Sequence, residues 1–204
     1  MGDRRRFFGL RPQNDNDMDV ILSAAKDLSN LQSPISRLKG STTMKVGIVM
    51  GSKSDLPVVE RTQKILKEFG VEYVTRVISA HRTPAAAEQF AKTAEAEGID
   101  VIIAAAGKAA HLGGVIAAYT PVPVIGLPIK SSTLDGLDSL LSIVQMPKGV
   151  PVATVAIDGA ENAGLLAVQI LSVKDSGLRE AFKAYKVKME EDVLKIDREL
   201  EEGR

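Results

Sequence analysis

Cysteine and tryptophan are absent from this chain, and histidine occurs only twice. Without cysteine there are no disulfides, no thiolate nucleophiles and no cysteine-based zinc sites, and the redox compartment is left undetermined. Aromatic residues make up 4% of the sequence, too few for a base-stacking platform. Charge of one sign is lacking as well: 26 lysines and arginines face 26 aspartates and glutamates, so nothing in the balance draws the chain to nucleic acid or to an anionic membrane. No apolar run reaches the length of a bilayer span. What is present is a 204-residue chain, 45% hydrophobic, which suits one globular domain with or without an appendage. A small, discretely bound substrate and a cytoplasmic location are the resulting expectations.

Residues 1–43 differ in texture from the rest. Arg4-Arg5-Arg6, an Asn/Asp cluster at residues 14–17 and Gly40-Ser41-Thr42-Thr43 surround one short helical pattern over residues 18–28. They read as a flexible N-terminal extension, neither a secretory signal nor a transit peptide. Met44, directly before the first strand-like run, reads as an alternative start. From residue 45 onward, strand-length apolar runs alternate with helical patterns. Strands are predicted over residues 45–50, 71–78, 100–105, 122–126 and 151–157. Between them lie a helix with Val58, Thr62, Ile65, Leu66 and Phe69 on one face, a helix opened by Thr83-Pro84, a short helix over 115–119, a loop from Leu127 to Thr133 leading into a helix over 137–144, and an Ala/Leu helix over 162–171 whose small flanks suit close packing. A C-terminal helix over about residues 175–202 carries Leu178, Phe182, Tyr185, Met189, Val193, Ile196 and Leu200 at spacings of three and four. So long a stripe is expected to dock on a neighbouring subunit.

Five βα units predict an α/β fold, a parallel five-stranded sheet between two helical layers, with right-handed crossovers. The polar turns after the first three strands then share the carboxyl edge of the sheet, where such folds bind ligands. The first turn, Gly51-Ser52-Lys53-Ser54-Asp55, has the small residues and helix start that favour an anion, but matches neither a Walker loop nor a dinucleotide fingerprint. Asp55 reads either as a plain helix cap or as a carboxylate for a ribose hydroxyl or ring amine. The second turn, Ser79-Ala80-His81-Arg82-Thr83-Pro84, offers His81 as general acid and base and Arg82 as a fixed cation for phosphate or carboxylate; the bland alternative is a solvated turn. The third, from Gly107 and Lys108 to His111 and Leu112, supplies the other histidine, which is either a hydrogen-bonding group of the site or a ring satisfied by backbone. With two histidines and no motif of carboxylates at ligand spacing, no metal is expected, and the absence of a G-x-S-x-G elbow argues against a serine hydrolase.

Five ordered blocks make the sequence recognisable: residues 51–55, residues 79–84, Ala109-Ala110-His111-Leu112, residues 136–147 and residues 151–157. Together they resemble the bacterial N5-carboxyaminoimidazole ribonucleotide mutases of de novo purine synthesis, from Met44 to the end of the chain. The resemblance implies a flavodoxin-like three-layer fold, a homo-octamer with sites between subunits, and an isomerase that moves a carboxylate from the exocyclic nitrogen of the aminoimidazole ribotide to C4 without metal, ATP or organic cofactor. It implies His81 as the catalytic residue, Ser52, Asp55 and Arg82 as substrate-binding positions and His111 as a secondary hydrogen-bonding group; Ser79, Ala80, Gly107, Lys108 and Leu112, on the same turns, complete the expected ribonucleotide site. Where the mutases read Gly-Gly-Ala-Ala-His-Leu-Pro-Gly, this chain has Lys108 for the second glycine and Gly113 for the proline. The alternatives are an aminoimidazole ribonucleotide carboxylase using free CO2 and a non-catalytic nucleotide-binding paralogue.

Overall fold

The computed structural model of the chain describes residues 44–132 and 134–203; the expectations for the N-terminal extension lie outside them. β1 (Lys45–Met50), β2 (Glu72–Val77), β3 (Ile99–Gly107), β4 (Val124–Ile129) and β5 (Ala153–Thr154) form one parallel sheet in the order β2-β1-β3-β4-β5. The helices are α1 (Leu56–Glu68), α2 (Pro84–Thr93), α3 (Leu112–Tyr119), α4 (Leu137–Val144), α5 (Ala160–Ser172) and α6 (Ser176–Glu202). This is the flavodoxin-like order, and its switch point, where the chain direction reverses across the sheet, falls between β1 and β3.

Period-two alternation sends successive β side chains into opposite layers. Val49, Ile102 and Ala104 join Phe90 and Ala91 of α2 and Leu112 and Ile116 of α3 in one core cluster. Ile48, Ile103 and Ile125, one residue out of phase, are equally buried. On the layer formed by α1 and α5, the small flanks of α5 allow the close approach expected of them. A Cβ on Gly164 would stand 3.0 Å from Ile65, and Thr62, buried on α1, donates its hydroxyl to the Ala160 carbonyl at 2.8 Å.

Several boundaries differ from the sequence reading. The buried face of α1 uses Val59, Thr62, Ile65 and Leu66, so Val59 takes the place expected of Val58, which is half-buried. α3 begins at Leu112, three residues early, and takes in two glycines, because its first turn is buried through Leu112 and Gly113. β4 starts after Pro123 and continues through Pro128 to Ile129; the Pro128 carbonyl accepts from the Asp158 amide at 2.8 Å, so the ring's missing donor falls where the strand is already ending. β5 keeps just two ladder residues of the seven expected, since left-handed Asp158 (φ 53°) turns the chain away while its carboxylate accepts from the Lys130 amide at 2.8 Å. α6 is continuous from Ser176 to Glu202. Leu178 is buried and Phe182 stacks obliquely on Phe69 at 6.0 Å between ring centroids, whereas Met189, Val193, Ile196 and Leu200 are exposed. No described helix is long and apolar enough to cross a membrane.

Candidate functional site

The loops after β1, β2 and β3 meet at the carboxyl edge, and the polar groups in them are tied to one another. After β1, Ser52 caps a short turn of 3-10 helix, Lys53–Asp55, by accepting from the Ser54 amide at 3.3 Å. Ser54 Oγ lies 2.9 Å from Ser52 Oγ and 3.2 Å from Asp55 Oδ1, so it can accept from the one and donate to the other. Asp55 stands at the N-terminus of α1 and makes no side-chain cap to it. Its side chain is instead held inside the loop, 8% exposed. Burial pushes the carboxyl above its ordinary range, against the opposing pull of the Ser54 hydroxyl, the Ser52 backbone and the Arg82 charge.

After β2, Ser79 and Thr83 close the turn on each other: the Ser79 amide donates to Thr83 Oγ1 at 3.0 Å, and Thr83 Oγ1 donates to the Ser79 carbonyl at 3.1 Å. The Thr83 hydroxyl therefore does not cap α2, although Thr83 occupies the cap position and its carbonyl accepts from the amides of Ala86 and Ala87. Arg82 crosses to the neighbouring loop, donating Nη2–H to the Gly51 carbonyl at 2.8 Å and Nε–H to Ser79 Oγ at 3.4 Å. These bonds orient the guanidinium at the junction of the first two loops, while His81 reaches the third; Ala80 is half-buried against the core.

There, His111 at the start of α3 meets His81: Nε2 of His81 and Nδ1 of His111 are 2.8 Å apart, the rings edge to face. The two histidines of the chain, 30 residues apart in sequence, thus form one pair. Leu112 is buried in the core cluster at the start of α3. Gly107 ends β3 where an added Cβ would press to 3.3 Å on the Ile129 carbonyl. Ser54, Thr83 and the Gly51 carbonyl are the participants that the sequence reading passed over; the serine-rich turn was the signal for the first, and nothing local marks the carbonyl. Among the described residues, no group of three or more His, Asp or Glu side chains is placed to hold a metal ion.

The two departures from the mutase pattern behave differently. At Gly113, in the first turn of α3, a Cβ would meet Val152 and Ala104 at 3.6 and 3.8 Å, ordinary contacts, so nothing around it depends on the glycine. Lys108 is exposed and left-handed (φ 57°), a conformation in which glycine is at ease and a side chain is not. Lys108→Gly is expected to stabilise the protein by about 1 kcal/mol, roughly 2–4 °C in Tm. A melt showing no gain would mean that contacts of the lysine side chain offset the strain.

The AIR carboxylase family model matches residues 45–192. The chain is 62% identical over 145 residues to the N5-carboxyaminoimidazole ribonucleotide mutase of Pyrococcus abyssi, covering 71% of this chain and 83% of that protein. To the phosphoribosylaminoimidazole carboxylase of Saccharomyces cerevisiae it is 49% identical over 185 residues, a match that reaches into residues 1–43 and covers 91% of this chain but 31% of the yeast protein. Its fold is similar to the crystal structure of Treponema denticola PurE, with a TM-score of 0.69 at 31% identity, covering 76% of this chain and 98% of that one. A family model spanning most of the chain, and a relative of this identity matched over most of its length, place the chain in the AIR carboxylase family.

Proposed function

We propose that this chain is the mutase that converts N5-carboxyaminoimidazole ribonucleotide into 4-carboxy-5-aminoimidazole ribonucleotide in purine biosynthesis, with His81 moving the proton. The observation that carries the reading is the contact of His81 with His111 beside a guanidinium and a buried carboxyl, at the switch point of the sheet. In the reaction the exocyclic N–C bond breaks and its electron pair returns to the aminoimidazole. One proton passes from His81 to that pair, and C4 then attacks the carbon of the released CO2. The C4 proton finally returns to His81, so atoms, charge and the state of the histidine all close. Holding CO2 against C4 is a matter of proximity, which the small side chains of Ala80, Ala109 and Ala110 favour.

Arg82 and the Ser52 turn take the phosphoribosyl part, Asp55 the polar sugar or amine edge, and Ser79, Gly107, Lys108 and the backbone at Leu112 complete the pocket. The chain works in the cytoplasm as a homo-octamer, with the exposed Met189-to-Leu200 stripe of α6 docked on a neighbouring subunit; the exposure of Val193, Ile196 and Leu200 supports that docking. Assaying the two ribotides separately tests the function. Turnover of the N5-carboxylated ribotide in buffer stripped of bicarbonate is expected. Consumption of only the uncarboxylated ribotide, dependent on added CO2, would assign a carboxylase instead, and binding without product would assign a non-catalytic paralogue.

A further inference from the structure

The apolar stripe of α6 has a definite length and a definite sign of charge around it. Met189, Val193, Ile196 and Leu200, each more than half exposed, recur at spacings of four, three and four and so lie on one face over about 17 Å of helix. Around them, residues 190–202 carry seven acidic side chains against Lys195 and Arg198, and Lys195 is already paired with Glu199 at 3.8 Å. A partner for this face is therefore apolar, of similar length and basic at its flanks. Among the described residues, one other helix presents an exposed apolar row, α4 through Leu137, Leu141 and Val144. That row runs for about 10 Å and has no basic residue beside it. A second copy of α6 matches in length but sets acid against acid.

The helical pattern ahead of β1 meets all three conditions. Met18, Ile21, Ala25 and Leu28 recur at spacings of three, four and three, about 15 Å of helix, after Asp17 in the position of an N-cap. Residues 1–12, just before it, hold Arg4, Arg5, Arg6 and Arg11 against a single aspartate. Residues 29–43 span about 50 Å when extended, so the segment can leave its own domain and reach a neighbouring copy. We propose that residues 18–28 of a neighbouring subunit cover the Met189-to-Leu200 face of α6 as a helix, with the arginines ahead of them set against its acidic flanks. The proposal rests on the reading of α6 as docked on a neighbouring subunit and names what that neighbour places there. So short a helix is marginal in water by itself, and the docking supplies the apolar face it lacks. Each subunit gives one segment and receives another, so a closed assembly leaves no stripe and no segment unmatched.

Because the chain has no cysteine of its own, every disulfide formed in an engineered full-length chain is an engineered one. Val193→Cys is combined in turn with Met18→Cys, Ile21→Cys, Ala25→Cys and Leu28→Cys, and the protein is oxidised. At least one pair should run at twice the chain mass on a non-reducing gel and revert on reduction. Changing Arg4, Arg5 and Arg6 to Glu should slow that cross-link about tenfold at low salt, a difference that added salt should shrink. Val193→Cys that dimerises alone would assign the face to a second α6, and faster linkage to Leu141→Cys would assign it to α4. Either result overturns the proposal, as does a disulfide confined within one chain. Light scattering of Val193→Asp separates the proposal from the reading beneath it. With no cross-link from residues 18–28, a smaller Val193→Asp assembly ends this inference alone, and an assembly of unchanged size ends the docking of α6 as well.

Discussion

His81→Asn should abolish turnover of the N5-carboxylated ribotide, by about 100- to 10,000-fold in kcat, while leaving ligand affinity within a few-fold of wild type. Asparagine keeps a polar group of similar reach and can still bond His111, but it cannot carry a proton to the departing electron pair or recover one from C4. The surrounding turn should survive, because it is held by Ser79 and Thr83 and by Arg82 on the Gly51 carbonyl, none of which involves the imidazole. Calorimetry of product binding alongside the kinetics separates the two effects. More than a tenth of the wild-type kcat in the variant would remove His81 from the chemistry, and a parallel collapse of binding would make it a structural or substrate-holding residue.

What placed His81 correctly was alternation. Apolar runs that are buried on both faces, separated by helix-period segments, allow little but a parallel sheet, and a parallel sheet puts every β-to-α turn on one edge. Ala80, His81 and Arg82 are therefore legible as edge residues from the sequence alone. The misjudged parts depend on information that a local window does not contain. The shift of β4 to Val124–Ile129 follows from its register with β3, where Pro128 pairs with Ala106, and the shortness of β5 follows from the Asp158 carboxylate reaching the Lys130 amide, 28 residues away. At Thr83 the local rule identified the cap position, and a competing local bond to Ser79 took the hydroxyl. The histidine pair belongs to the same class: two turns 30 residues apart become neighbours because β2 and β3 both flank β1. Sequence pattern assigns residues to an edge, and strand order decides which of them touch.

Asp55→Asn should move stability and function in opposite directions. Burial holds the Asp55 carboxyl above its ordinary range, which means that the fold favours the protonated form. The stability this residue contributes is therefore fully present below the unfolded value, about 4, and is lost as pH rises through the raised folded value; above that value the ionised carboxylate is a standing cost to the fold. Asparagine removes that titration and can still accept from Ser54. The melting temperature of Asp55→Asn relative to wild type should accordingly climb as pH rises from about 4 through the raised folded value and then level off. A difference that falls over this interval would show that the carboxylate is stabilised in place. The same variant should raise KM for the ribotide roughly 10- to 150-fold, the worth of a hydrogen bond to a charged group, with a smaller change in kcat. An unchanged KM would leave Asp55 without a role in binding. A carboxylate that the fold would hold more easily uncharged, and that makes no cap for the helix it precedes, is the reason the two readouts are measured on one variant.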